Sequence, residues 1–314
     1  MTTTTRCGRF LCLLTMLATL NSGLILAGEN GIRVVVWDEQ QPAQRQAYPS
    51  FLGQYISDYL KRQPQLQVRS VSIDDPEKGL SDEVLDQCDV LIWWGHVRNG
   101  DISEAEAEKV VSRVREGKLA LFALHSAHWA TPFVMAMHER AKDDALASLD
   151  KASREKATVE FSGKIVRRPP SRHVRLSPKP VFQWLSDGTV HIKITRPNCC
   201  FPAYRNHGLP SRIRTLAPQH PIAAGIPEDF ELSQTEMYDE PFHVPEPDLV
   251  LFEERWEKGE HFRSGMLWRV GKGEVFYFRP GHETFAVYTE PIPMKILENA
   301  VRYLGRKTDA SSNN

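Results

Sequence analysis

The sequence predicts an α/β protein built on an open, mostly parallel sheet with helices on both faces. Two observations carry this expectation. Ile32 to Trp37, Asp89 to Trp94 and Leu119 to Leu124 are short, almost uninterrupted apolar runs, as expected of strands buried on both faces. Between them the apolar residues recur at helical spacing, so strand and helix alternate.

After the first strand, Tyr48, Phe51, Leu52, Tyr55, Ile56, Tyr59 and Leu60 fall on one helical stripe, which Pro64 stops. Leu66, Val68 and Val71 predict a second strand, and a short helix runs from after Ser81 to near Cys88. The third strand ends at Gly95-His96. Ser103 and Glu106 have capping-box spacing and open a helix that Gly117 closes. The fourth strand ends at His125, and a helix starting near Thr131 passes Met137. Residues 150–215 break the rhythm with the stretches RRPPSR and SPKP and one short strand, Val190 to Thr195. They read as an insertion beside the sheet. Phe262 to Val270 and Glu274 to Arg279 bracket Gly271-Lys272-Gly273, a hairpin pattern. A closing helix begins near Pro293, with Ile296, Leu297, Ala300, Val301 and Leu304 on its inner face. The main domain spans 31–305, and the polar residues 306–314 are expected to be a disordered tail.

Of the 314 residues, 39 are Lys or Arg and 40 are Asp or Glu, a balance that gives no electrostatic case for nucleic acid or anionic membranes. Arg6 and Arg9, the apolar run from Phe10 to Leu20 and the small pair Ala27-Gly28 form a secretory signal peptide over residues 1–27. The run is too short for a comfortable membrane span, and an uncleaved anchor is the alternative. Export to the periplasm or beyond is therefore expected, with no membrane contact after cleavage. Cys88, Cys199 and Cys200 would remain, an odd set that argues against a disulfide scaffold and for buried thiols. No CxxC pair is present to build a thiolate zinc knuckle.

Ligands of open α/β sheets bind beyond the carboxyl ends of the strands. His96, His125 and His282 all follow predicted strands there. His-Ser-Ala-His at 125–128 sits at a strand-to-helix turn, where His125 and His128 can face one ion. Ser126 lacks the flanking glycines of a nucleophile elbow. Arg279-Pro-Gly-His-Glu283 forms a tight turn presenting His282, with Glu283 either beside it or facing solvent. The segment Thr235 to Glu240 reads as a loop before Pro241. Its Glu236, Tyr238 and Glu240 form either a polyol-binding rim or a solvated acidic loop. Of Trp93 and Trp94, one belongs to a packing layer and the other is free to stack on a sugar.

Taken together, VVVWDE (34–39), GLSDEVLDQCDVLIWWGH (79–96), LHSAHW (124–129), HPIAAGI (220–226), EMYDEPFHVPEPD (236–248), FRSG (262–265) and FYFRPGHET (276–284) resemble the trehalose-utilisation, or ThuA-like, family. The segment NCCFPAYR (198–205) is similar to that of its longer members. The resemblance implies a flavodoxin-like fold related to class I glutamine amidotransferases, in which the elbow carries a nucleophilic cysteine and a His–Glu pair follows a late strand. Here the elbow position is His125, while His282 and Glu283 resemble the late pair. Without the thiolate, glutaminase chemistry has lost its nucleophile. The resemblance also implies a role in using disaccharides or related sugars. The leading expectation is an enzyme dependent on a divalent metal, zinc first, that hydrolyses, eliminates from or isomerises a sugar or keto-sugar. The metal ligands come from His96, His125, His128 and His282. His125, His282 and Glu283 act as catalytic groups, and Trp94, Glu236, Tyr238, Glu240 and Arg279 contact the carbohydrate. Glu236 or Glu283 serves as further ligand or base. The second reading is a non-catalytic sugar-binding module. A homo-oligomer is left open.

Overall fold

A computed structural model describes residues 1–2, 31–163 and 179–310. Residues 3–27 of the expected signal peptide and the RRPPSR stretch lie outside the described residues. In chain order the first elements are β1 (Ile32–Asp38), α1 (Leu52–Leu60), β2 (Leu66–Ser72), α2 (Asp82–Asp86), β3 (Val90–Trp94), α3 (Glu104–Glu116), β4 (Ala120–Leu124) and α4 (Thr131–Ala147). There follow α5 (Lys151–Glu155), β5 (Ala157–Ser162), β6 (Pro180–Trp184), β7 (Val190–Thr195), β8 (Ala203–Thr215), β9 (Asp229–Asp239), β10 (Leu249–Arg255), β11 (His261–Val270), β12 (Gly273–Phe278) and α6 (Pro291–Ala310).

Nine strands form one sheet in the order β2-β1-β3-β4-β12-β11-β10-β8-β9. The first five are parallel, as the buried apolar runs predict, and the last four pair antiparallel. The register decides where function can sit. Trp94 of β3 lies opposite Leu124 of β4, and Leu124 lies opposite Phe278 of β12. The next residues, Gly95-His96, His125 and Arg279, therefore leave the sheet at one edge.

Alternate residues of the central strands fill two layers. Trp37, Leu91, Trp93, Leu121, Val275 and Tyr277 pack with Val110, Val111 and Val114 of α3 and Phe133 and Met137 of α4. Val36, Ile92, Trp94, Phe122, Phe276 and Phe278 pack with Leu52 and Ile56 of α1 and Ile296, Leu297 and Val301 of α6. Both tryptophans of the Trp93-Trp94 pair are thus buried, on opposite faces. Trp93 stacks on Trp37 with ring centres 3.8 Å apart. Ser103 accepts from the Glu106 amide while the Glu106 carboxylate accepts from the Ser103 amide, so the expected capping box opens α3. Gly117 ends that helix at φ 76°.

The stretch expected as an insertion over 150–215 divides in two. Strands β5, β7 and β6 make a separate three-stranded sheet, whose Val190, Ile192 and Ile194 pack on Ala141 and Ala145 of α4 and on Leu149 just after it. β8 instead joins the main sheet beside β9. Helix α6 runs on past Leu304 to Ala310, beyond the point where the tail was expected to begin. Among the described residues, no helix is long and apolar enough to cross a membrane.

Phe122 has no solvent exposure and packs on Phe276 with ring centres 5.0 Å apart. Phe122→Ala is expected to cost about 3–5 kcal/mol of unfolding free energy, measured by urea denaturation.

Candidate metal centre and adjoining pocket

Each candidate ligand stands on a turn that other residues hold in place. His96 follows β3 in a loop pinned by Glu39, whose carboxylate accepts the amides of Val97 at 2.9 Å and Arg98 at 2.7 Å. The Asn99 amide donates to the carbonyls of Gly95 and Ser126, each at 3.1 Å, tying the His96 loop to the next one. His125 opens a 3-10 turn, His125–Trp129, at φ 49°, a left-handed conformation uncommon for a residue with a side chain. Its ring lies between Trp94 and Tyr238, with ring centres 5.6 and 5.4 Å away. Its Nδ1 donates to the Arg279 carbonyl at 3.1 Å, which leaves the Nε2 lone pair facing inward. Glu236 and Tyr238 lie two apart on β9 and so share a face. The loop expected over 235–240 is therefore strand up to Asp239. Gly281 crosses the site at φ 144°, where a Cβ would meet Trp94, His125 and Tyr288 at 3.0–3.2 Å.

Three imidazoles and two carboxylates converge on this edge. The ligand atoms of His96, His125 and Glu283 lie within 4.8 Å of one another, as do those of His125, Glu236 and His282. Individual approaches are 2.9 Å from His96 Nδ1 to Glu283 Oε2, 3.3 Å from His125 Nε2 to Glu236 Oε2, and 3.6 Å from His282 Nε2 to Glu283 Oε2. Despite these distances, His96 Nδ1, His125 Nε2, His282 Nε2 and Glu283 Oε2 are buried and make no well-aligned hydrogen bond. His125 belongs to both groups of ligand atoms. Ligands of a tetrahedral zinc ion at about 2.0–2.2 Å stand about 3.3–3.6 Å apart, close to the observed separations. The donor set fits a divalent ion.

Burial and charge give these groups different proton affinities. Burial disfavours a charged His96, but the carboxylates of Glu283, Glu236 and Glu39 outweigh it and raise its pKa. Burial lowers that of His125 against the pull of Glu236, and burial with neighbouring His125 takes His282 down to about 4. Burial would raise Glu283, yet contact with His96 brings it down to about 2. His282 Nδ1 faces both the amide of Thr284 at 3.1 Å and its hydroxyl at 2.9 Å. Binding an ion through Nε2 requires the Nδ1 proton to be donated to that hydroxyl. Accepting the amide instead places the proton on Nε2.

Beside the cluster lies a pocket of about 290 Å³. His96, Ser126, His128 and Glu236 supply its polar lining, and Trp129, Phe201, Tyr204 and Tyr238 its rings, with Cys200 between them. Four expected site residues are placed differently from their expected roles. His128 lines the pocket outside both ligand groups, with its Nδ1 donating to the Cys199 carbonyl at 2.6 Å. Trp94 is fully buried against His125 and cannot stack on a sugar. Glu240, just beyond β9, is committed to Arg263 at 2.9 Å. Arg279 has no exposure, and its guanidinium is taken up by Glu254 and the Glu236 carbonyl.

A profile of the trehalose-utilisation (ThuA) family matches residues 33–304. The chain belongs to this family. Its fold is similar to that of a protein described as ThuA-like from Bacteroides uniformis, 13% identical, with TM-score 0.52 over 89% of this chain and 93% of that one. A second ThuA-like structure, from Parabacteroides merdae, is 15% identical with TM-score 0.52 over 88% and 90%. No curated protein matches the chain.

In this member of the trehalose-utilisation family the elbow residue is His125, and the free cysteines Cys88, Cys199 and Cys200 are all buried. Three residues that hold the site escaped the sequence reading: Glu39, Asn99 and Glu254. Only Glu39 carried a usable signal, an acid placed directly at a strand end.

Burial lowers the pKa of His128 from 6.5 to about 3 and that of His138 from 6.5 to about 4. The unfolded chain therefore takes up protons first as the pH falls. Their contribution to stability is full above pH 6.5 and is lost towards pH 4. Metal-free protein is expected to show a falling Tm across that window in thermal melts, with a shallower slope in His128→Asn. A Tm independent of pH there would contradict the assignment.

Proposed function

We propose that this chain is a divalent-metal enzyme, with zinc the first candidate, acting on a disaccharide or keto-sugar derivative. The observation that carries the reading is the convergence of buried nitrogen and oxygen atoms that make no aligned hydrogen bond. A protein seldom leaves such atoms unsatisfied, since each costs about 1–3 kcal/mol. Membership of the trehalose-utilisation family supports the carbohydrate, and a pocket with four rings and four polar groups suits a polyol.

His125 would hold the ion together with His96 and Glu283, with Glu236 and His282 forming the second such group around His125. Bound there, a divalent ion polarises a carbonyl or hydroxyl oxygen and so supports hydrolysis, elimination or isomerisation. Glu236 is the carboxylate that both touches His125 and lines the pocket. We assign it the proton transfer to or from the sugar carbon or hydroxyl. Contact with His125 keeps Glu236 below the usual carboxylate range despite its burial, so it stands ready as a base. Ser126 and Tyr238, with hydroxyls 3.3 Å apart, present hydroxyl groups beside the pocket. His128, its Nδ1 proton fixed on Cys199, offers an Nε2 lone pair to a sugar hydroxyl.

One observation favours the second reading, a sugar-binding module without an ion. The Thr284 amide can donate to His282 Nδ1, which would leave Nε2 protonated and unable to ligate. Elemental analysis of untagged protein separates the two. The enzyme reading expects about one equivalent of divalent metal, lost in His125→Ala. Glu236→Gln is expected to lower turnover of keto-sugars by about a hundredfold or more. Absence of metal after incubation with zinc, cobalt and manganese salts would sink the metal reading.

A further inference from the structure

Arg279 touches neither the pocket nor the centre of the cluster, yet it contacts the two residues that meet there. Its Nη1 donates to the main-chain carbonyl of Glu236 at 2.7 Å. Its Nη2 donates to the carboxylate of Glu254, which is equally buried and also accepts the Ser211 hydroxyl. The guanidinium carbon lies 5.3 Å from the centre of the Trp256 ring and 5.8 Å from that of Tyr238. The main chain of the same residue works on the other side. Its amide donates to the Ser264 carbonyl at 2.8 Å, and its carbonyl accepts His125 Nδ1 at 3.1 Å. A single residue thus fixes the backbone of Glu236 and the ring of His125, whose side chains stand 3.3 Å apart.

Stability does not explain the pair. Moving two charges out of water is costly, and apolar residues of similar volume often serve a fold as well or better. Here the pair is not even fully satisfied, since Arg279 Nε and Glu254 Oε2 make no hydrogen bond among the described residues. What an apolar pair could not supply is direction. A guanidinium is a planar fork whose donors point along fixed lines, so the Glu236 carbonyl has one favoured place. We propose that Arg279, oriented by Glu254, is a positioning residue that sets Glu236 against His125 for ion binding and proton transfer. The inference rests on the metal reading above.

Cobalt(II) titration of the full chain, followed by its visible absorption, tests it. The double variant Arg279→Met with Glu254→Leu removes both buried charges together and so avoids stranding either one. It is expected to keep an apo Tm near that of the parent protein but to bind cobalt about tenfold or more weakly, with an altered visible band. Arg279→Lys, which keeps the charge and loses the fork, is expected to bind with intermediate affinity. It also stands in if the double variant does not fold. Parent-like cobalt affinity and spectrum in a folded double variant, or in Arg279→Lys, would overturn the positioning role. No cobalt binding by the parent protein would overturn the metal reading, and this inference with it.

Discussion

The alignment of three strand ends governs the rest of this molecule. Trp94, Leu124 and Phe278 lie side by side across β3, β4 and β12. Because side chains alternate, a slip of one residue in any of these strands would exchange its two faces. Phe122 and Phe276 would then lose their layer against α1 and α6, so the packing of the core enforces the register. That same register delivers His96, His125 and His282 to one edge. The site is thus specified by the hydrophobic core, and the polar residues around it only refine its geometry.

Those refinements are mostly interactions with the main chain. Glu39 holds amides, Asn99 holds two carbonyls, and Arg279 offers its own carbonyl and grips that of Glu236. Fixing the backbone beneath each ligand leaves the ligand atoms themselves free of aligned hydrogen bonds. In a low-dielectric interior, that freedom is unfavourable until something else satisfies them. The mutual influence of His96 and Glu283, one raised and the other lowered, is what these two side chains achieve between themselves.

The parallel half of the fold was legible because strands buried on both faces leave continuous apolar runs that few other structures produce. The antiparallel half was harder. β8 and β9 are partly exposed, their register shifts between Arg205 and Ser211, and β9 runs to within two residues of Pro241. Glu236 and Tyr238 therefore read as loop residues, although their spacing of two already matched a strand. The histidines at strand ends were visible from topology alone. The burial of Trp94 and Arg279, and the turning of His128 towards Cys199, depend on partners more than 25 residues away and left no local trace.

The position of β9 at the end of the sheet has a consequence for how the protein can fail. A terminal strand has a neighbour on one side only and exchanges with solvent at a lower free energy than the centre. Glu236 and Tyr238 belong to that strand, whereas the histidines belong to the parallel centre. Partial opening of the edge would remove one wall of the pocket and one carboxylate while the central strands stayed protected. In a sheet built this way, the site has a route to failure that leaves the central strands intact.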